Sequence, residues 1–193
     1  MKKLLITGFE PFGGESINPS WQAVLRLPNV VGEYELTKLC IPVVFGKATK
    51  KVIELANEIS PDTIVCIGQA GGRYAITPEL VGINLRHATI PDNAGNQPID
   101  KPIIENGAKA FFSTIPVREI AERIKNAGIL SQVSYSAGAY VCNDLLYGLL
   151  SYFENKKTAV GFIHVPYCNE QNKQPSLSLD DIVKALTVAI ETM

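Results

Sequence analysis

Glu35-Leu36-Thr37-Lys38-Leu39-Cys40-Ile41-Pro42-Val43-Val44, then Gly46 to Glu58, then Thr63-Ile64-Val65-Cys66-Ile67 form the stretch that decides the fold. The first run is apolar and β-prone and reads as a strand. The second places Ala48, Val52, Leu55 and Ile59 on one face and leaves Lys47, Lys50, Lys51 and Glu54 for water. That is an amphipathic helix. Pro61-Asp62 breaks it, and Thr63 to Ile67 is apolar enough for a strand buried on both faces. Strand, helix and strand in that order imply a right-handed βαβ unit.

The flanks extend the pattern. Lys3 to Thr7 reads as a first parallel strand, and Asn18-Pro19-Ser20 as a helix start leading into Trp21 to Leu27. Beyond the unit, Gly68-Gln69-Ala70-Gly71-Gly72-Arg73 lies at a strand's carboxyl end, the edge where open α/β sheets bind ligands. Ile76 to Leu85 reads as extended, Pro91 to Asn96 as a turn-rich loop, and Ile103 to Ser113 is weakly patterned. Pro116 to Asn126 reads as a helix stopped by Gly128. Ser131 to Tyr135 reads as a short strand, Leu145 to Glu154 as a buried helix and Thr158 to Val165 as an apolar strand. Tyr167 to Pro175 reads as loop, and Ser178 with Asp181 starts the last helix. Strands and helices alternate throughout. The expectation is one domain over residues 1–193, a three-layer α/β/α sandwich around a mostly parallel twisted sheet.

Composition narrows the function. Hydrophobic residues make up 46% of the 193 and charged residues 19%, enough to bury a full core. The formal net charge of −1 gives no reason to expect nucleic acid or an anionic membrane as partner. No apolar run is long enough to span a bilayer, and Leu4-Leu5-Ile6 is too short for a signal-peptide core, so a cytoplasmic location is expected. Cys40, Cys66, Cys142 and Cys168 form no CxxC pair, and there are two histidines, so neither a metal nor a cofactor is expected. In a reducing compartment all four cysteines should be free thiols. Cys40 and Cys66, in apolar strands, read as buried small hydrophobes, and Cys168, in a polar loop, as incidental.

Ser136-Ala137-Gly138-Ala139-Tyr140-Val141-Cys142-Asn143 puts Cys142 where a strand and turn hand over to a helix. Unpaired N–H groups and the helix dipole at such a point favour thiolate, the reactive form. Gly161-Phe162-Ile163-His164-Val165-Pro166 ends an apolar strand on His164. A cysteine at a helix start and a histidine at a strand end are the two halves of a thiol hydrolase; a buried thiol and a core histidine are the plain alternatives. Glu79, alone in an apolar run, is the candidate to orient the base. The Cys142 backbone N–H is the first oxyanion donor. His87 competes for the base, but Arg86 beside it disfavours its protonated form. Gly8-Phe9-Glu10-Pro11-Phe12-Gly13-Gly14 lacks the spacing of a phosphate loop; its two phenylalanines read as a pocket wall or as core plugs.

Four segments together resemble the pyroglutamyl peptidase I family of cysteine peptidases. They are Thr7 to Gly14 with Asn18 to Trp21, Gly68 to Arg73 with Ile76 to Glu79, Ser136 to Asn143, and Gly161 to Pro166 with Glu170-Gln171. The resemblance runs nearly the whole chain. It implies removal of an N-terminal pyroglutamate (5-oxoproline) from peptides by a Glu79, Cys142, His164 triad. Phe9 and Phe12 would line the lactam pocket, and Asn18 and Gln69 would bind the ligand's polar edges or hold the loop. It also implies a homotetramer. There is one departure: His87 and Thr89 stand where the family has aspartate and arginine, and that arginine is implicated beside the oxyanion. Arg86, Arg73 or a water-bridged Thr89 are the available substitutes. The alternatives are a related thiol amidase of shifted specificity, and a catalytically weak lactam-binding homologue.

Overall fold

The computed structural model describes all 193 residues. Its strands are β1 (Lys2–Phe9), β2 (Val30–Val31), β3 (Tyr34–Ile41), β4 (Thr63–Gln69), β5 (Thr77–Pro78), β6 (Val81–Ile83), β7 (Ala110–Phe112), β8 (Ala159–Val165), β9 (Tyr167–Cys168) and β10 (Ser176–Leu177). Its helices are α1 (Pro19–Arg26), α2 (Lys47–Ile59), α3 (Val117–Asn126), α4 (Val141–Phe153) and α5 (Leu179–Glu191). Six strands form the main sheet in the order β2-β3-β1-β4-β8-β5. Its four long strands are parallel, and β2 and β5 add antiparallel edges. This is the α/β sandwich expected. The βαβ unit is present as β3-α2-β4, with β1 between its strands.

Alternation along the strands builds two cores. Leu4, Ile6, Val65, Ile67, Ile163 and Val165 face one way, onto α1, α3 and α5. Leu5, Phe9, Ile64, Cys66, Val160 and Phe162 face the other way, onto α2 and α4. Leu4, Leu5 and Ile6 have no exposed surface, and full burial of such a side chain stabilises by about 1.5–3 kcal/mol. Local signals set the helix ends. Asn18 accepts from the Ser20 N–H at the start of α1, and Ser178 accepts from the Asp181 N–H at the start of α5. Gly128, at φ +86°, follows α3.

Three expectations need correction. Ser131 to Tyr135 is not a strand: it makes only single bridges, Ile76 to Ser131 and Glu79 to Ser134. Pro78, midway between those bridges, has no N–H to carry the ladder through. The Ile76–Leu85 run divides into β5, which joins β8, and β6, which pairs instead with β7. The cysteine environments are also partly exchanged. Cys66 is buried as expected, but Cys40 is half-buried and Cys168 is fully buried in the α1/α3/α5 core. Tyr167 and Cys168 form β9, paired with β10, and this turns the thiol inward.

Candidate active site

The strand order turns back between β1 and β4: the chain leaves β1 toward β3, then returns through α2 to β4 on the other side. Ligand crevices open at the carboxyl ends of strands at such a point. Cys142 lies in the first turn of α4, directly above this crevice. Gly68 on β4 and His164 on β8 are paired across the ladder and so share a face. A Cβ on Gly68 would lie 3.0 Å from Cys142 Sγ and 2.6 Å from Phe162 Cζ. Only glycine lets the thiol settle on the sheet here, over the position paired with His164.

Glu79 reaches the same place from the edge. Its N–H donates to Phe162 O at 2.9 Å, just past β5, where Thr77 is paired with His164. The His164 Nδ1 lies 2.6 Å from Glu79 Oε1. Because an ionised carboxylate only accepts, Nδ1 carries the proton and Nε2 keeps its lone pair. Both residues are buried, Glu79 at 0% and His164 at 3% exposure. Burial works to raise the Glu79 carboxyl, but His164, Ser134 and Arg73 outweigh it and hold it below the usual value. Burial also lowers His164; Glu79 opposes that and Arg73 adds to it, so the resting imidazole is neutral.

The thiol differs from expectation. Cys142 keeps a partial opening to solvent through the pocket, yet burial, with the Glu79 charge and Cys66 adding to it, pushes its thiol up to about 12. Arg73 and the Cys142 backbone N–H pull the other way and are outweighed. The helix start therefore holds a protonated thiol at rest, because desolvation of the charged form exceeds what one helix turn offers it.

A small pocket of about 40 Å³ opens beside the sulfur, lined by Phe9, Phe12, Asn18, Val43, Gln69, Tyr140, Val141 and Cys142. Phe12 and Tyr140 face each other with ring centroids 6.5 Å apart. Gln69 Oε1 accepts from Gln171 at 2.9 Å, which leaves the Gln69 amide N–H groups for a ligand. Asn18 is occupied structurally: its Oδ1 accepts from the Ser20 N–H and hydroxyl, and its Nδ2 donates to Glu10 O. Of its two expected tasks, the contacts are those of holding the loop. A larger open groove, about 560 Å³, lies between α2 and α4 but contains neither Cys142 nor His164.

The substitutes for the missing arginine are exposed or already engaged. Thr89 is exposed and outside the pocket that Cys142 lines. Arg86 is bound to Asp144 at 2.6 Å, and Arg73 to Glu79 at 2.6 Å. His87 is exposed and pairs with Asp100 at 2.7 Å, away from Glu79. Sequence reasoning missed the pocket walls Val43, Tyr140 and Val141; Tyr140, flanking the helix start, was the signal available. It also missed Arg73 as a partner of Glu79, although both lie in one short run. No group of three His, Cys, Asp or Glu side chains could hold a metal ion, and no helix is long and apolar enough to cross a membrane.

Comparison with known proteins agrees over the full length. A family model described as pyroglutamyl peptidase matches residues 2–193. A pyrrolidone-carboxylate peptidase of Brevibacillus brevis is 48% identical, covering 100% of this chain and 93% of its own. Pyrrolidone-carboxylate peptidase 2 of Caldanaerobacter subterraneus is 49% identical over 99% of this chain and 96% of its own. The crystal structure of pyroglutamyl peptidase I from Bacillus amyloliquefaciens superposes with a TM-score of 0.96 at 48% identity, covering 100% of this chain and 96% of that one. The Thermococcus litoralis pyrrolidone carboxyl peptidase gives 0.95 at 37% identity, over 100% and 93%. By sequence and by fold, this chain belongs to the pyroglutamyl peptidase family of cysteine peptidases.

Proposed function

We propose that this chain is a cysteine exopeptidase that hydrolyses the amide bond after an N-terminal pyroglutamate, with Cys142 as nucleophile, His164 as base and acid, and Glu79 orienting His164. The observation that carries the reading is the 2.6 Å bond from His164 Nδ1 to Glu79 on the sheet face where Cys142 Sγ rests. His164 Nε2 takes the thiol proton as sulfur bonds to the carbonyl carbon after the lactam. The Cys142 N–H supports the oxyanion. The C–N bond breaks as His164 returns the proton to the leaving amine. Water, deprotonated by His164, then cleaves the thioester and releases pyroglutamate and free thiol. Because the resting pair is neutral, proton transfer accompanies attack.

Phe9 and Phe12 supply apolar walls and Gln69 an amide donor, which suits a small uncharged lactam and requires no charged anchor. The single sheet shared by both cores supports one domain over 1–193. The free thiols suit a cytoplasmic setting, and family resemblance suggests a homotetramer. A second reading, a slower or retargeted thiol amidase, is favoured by one observation: both candidate arginines are tied to carboxylates. A panel of N-blocked anilides separates the two. Pyroglutamyl anilide should be the best substrate; a prolyl or acetyl-aminoacyl anilide cleaved faster would overturn the proposal.

A further inference from the structure

Arg73 lies outside the triad, yet its guanidinium touches three parts of the site. Its Nη1 donates to Glu79 Oε1 at 2.6 Å, on the oxygen that also receives His164, and to Thr77 Oγ1 at 2.6 Å. Its Nη2 donates to Ser136 O at 3.1 Å, in the segment leading to Cys142. The side chain enters from the turn after β4 and remains 32% exposed, while the carboxylate it meets is 0% exposed. We propose that Arg73 is a positioning residue that fixes the Glu79 carboxylate and governs how strongly it draws a proton onto His164.

A carboxylate with no access to water needs several donors to hold one orientation, and Glu79 Oε2 makes no hydrogen bond within the protein, the nearby Ser134 hydroxyl donating to Ser136 O at 3.1 Å instead. Oε1 therefore carries both ionic donors, and two donors on one oxygen divide its attraction. The rigid fork of an arginine can hold Glu79, Thr77 and Ser136 together; a lysine ammonium cannot. Electrostatics follow. The charged groups that act on the His164 ring are Glu79, just past the edge strand, and Arg73 from the turn after β4. Of these, Arg73 alone is a fixed cation, and it opposes a second positive charge on the imidazole. It thereby keeps His164 a free base to lower pH.

The inference rests on the proposed reaction for its kinetic consequence but not for its spectroscopic one. The chain has two histidines, so the ring protons of His164 and His87 can be followed separately by NMR. In Arg73→Gln, the His164 titration should move up by about half to one pH unit, as expected for removal of a nearby like charge, with His87 unmoved as internal control. The acid limb of kcat/KM on pyroglutamyl anilide should move with it, and kcat should fall about 10- to 100-fold with little change in KM. Arg73→Lys should keep the titration near wild type while still losing kcat, and it decides the matter alone if the glutamine variant does not fold. A His164 titration unmoved in Arg73→Gln, or moved in Arg73→Lys, overturns the proposal. So does full kcat in Arg73→Lys, or a loss carried by KM. Failure of wild type to cleave the anilide would remove the proposed reaction and leave the NMR test standing.

Discussion

Two arginine–carboxylate pairs flank the start of α4, and they look alike. Arg73 meets Glu79 and Arg86 meets Asp144, each at 2.6 Å, each with a part-exposed guanidinium on a carboxylate at most 1% exposed. They differ in how completely the carboxylate is satisfied. Asp144 uses both oxygens, Oδ1 for Arg86 and Oδ2 for the Gly46 N–H at 2.8 Å. Its neighbour Asn143 is likewise saturated, accepting from the Ile83 N–H and donating to Ile83 O and Leu85 O. Glu79 loads one oxygen with both arginine and imidazole and leaves the other bare. A saturated pair clamps the start of α4 in place. An unsaturated pair beside a neutral histidine can respond to a proton, and that marks the site.

The sharpest way to break the comparison is to neutralise each carboxylate. Glu79→Gln should lower kcat by about 10²–10⁴-fold with little rise in KM, because orienting the base serves the transition state. An unchanged kcat would give Glu79 a structural role only. Asp144→Ala should instead act on stability. Leaving the part-exposed Arg86 and the Gly46 N–H without their partner costs about 1–3 kcal/mol, read as a melting temperature lower by about 2–4 °C per kcal/mol, with kcat in the surviving folded protein within a few-fold of wild type. If Asp144→Ala costs rate and not stability, the two pairs do not divide the work as described.

Acid should expose the same division. The folded His164 imidazole is held below its ordinary value of 6.5, so the unfolded chain binds the proton first and stability falls as pH drops below that value. Glu79, held below 4.5, contributes stability that is present above 4.5 and lost as pH falls further. Melting followed from pH 7 to pH 2 should therefore decline in two stages, with the later one reduced in Glu79→Gln. A smaller effect separates loop from site. Tyr140→Phe removes the bond to Pro91 O at 3.0 Å and should cost about 1 kcal/mol while leaving the pocket's aromatic wall and the pyroglutamyl KM largely intact.

Much of this was legible in the chain itself, for identifiable reasons. β1, β3, β4, β8 and all five helices carry periodic apolar patterns long enough to declare themselves. β5, β6 and β7 hold two or three residues each, and their pairing depends on partners distant in sequence. The Ser131–Tyr135 run shows the limit well: its composition suits a strand, but one proline on the facing segment decides that it is not. Cys142, His164 and Glu79 were visible as chemistry out of place, a thiol at a helix start and two polar groups in apolar runs. The protonation of Cys142 was not visible, because it depends on how deeply α4 seats the sulfur against Gly68. Nor was the route of Arg73 onto Glu79, which depends on the turn after β4.

The central claim is that Cys142, served by His164 and Glu79, cleaves after a pyroglutamyl residue. The most direct test is chromophore release from a pyroglutamyl anilide under reducing conditions, by wild type and Cys142→Ala side by side. The account predicts steady turnover by wild type and none measurable by Cys142→Ala, with wild-type activity abolished by alkylation. Turnover by Cys142→Ala, or a wild type that binds the lactam and releases nothing, would contradict it.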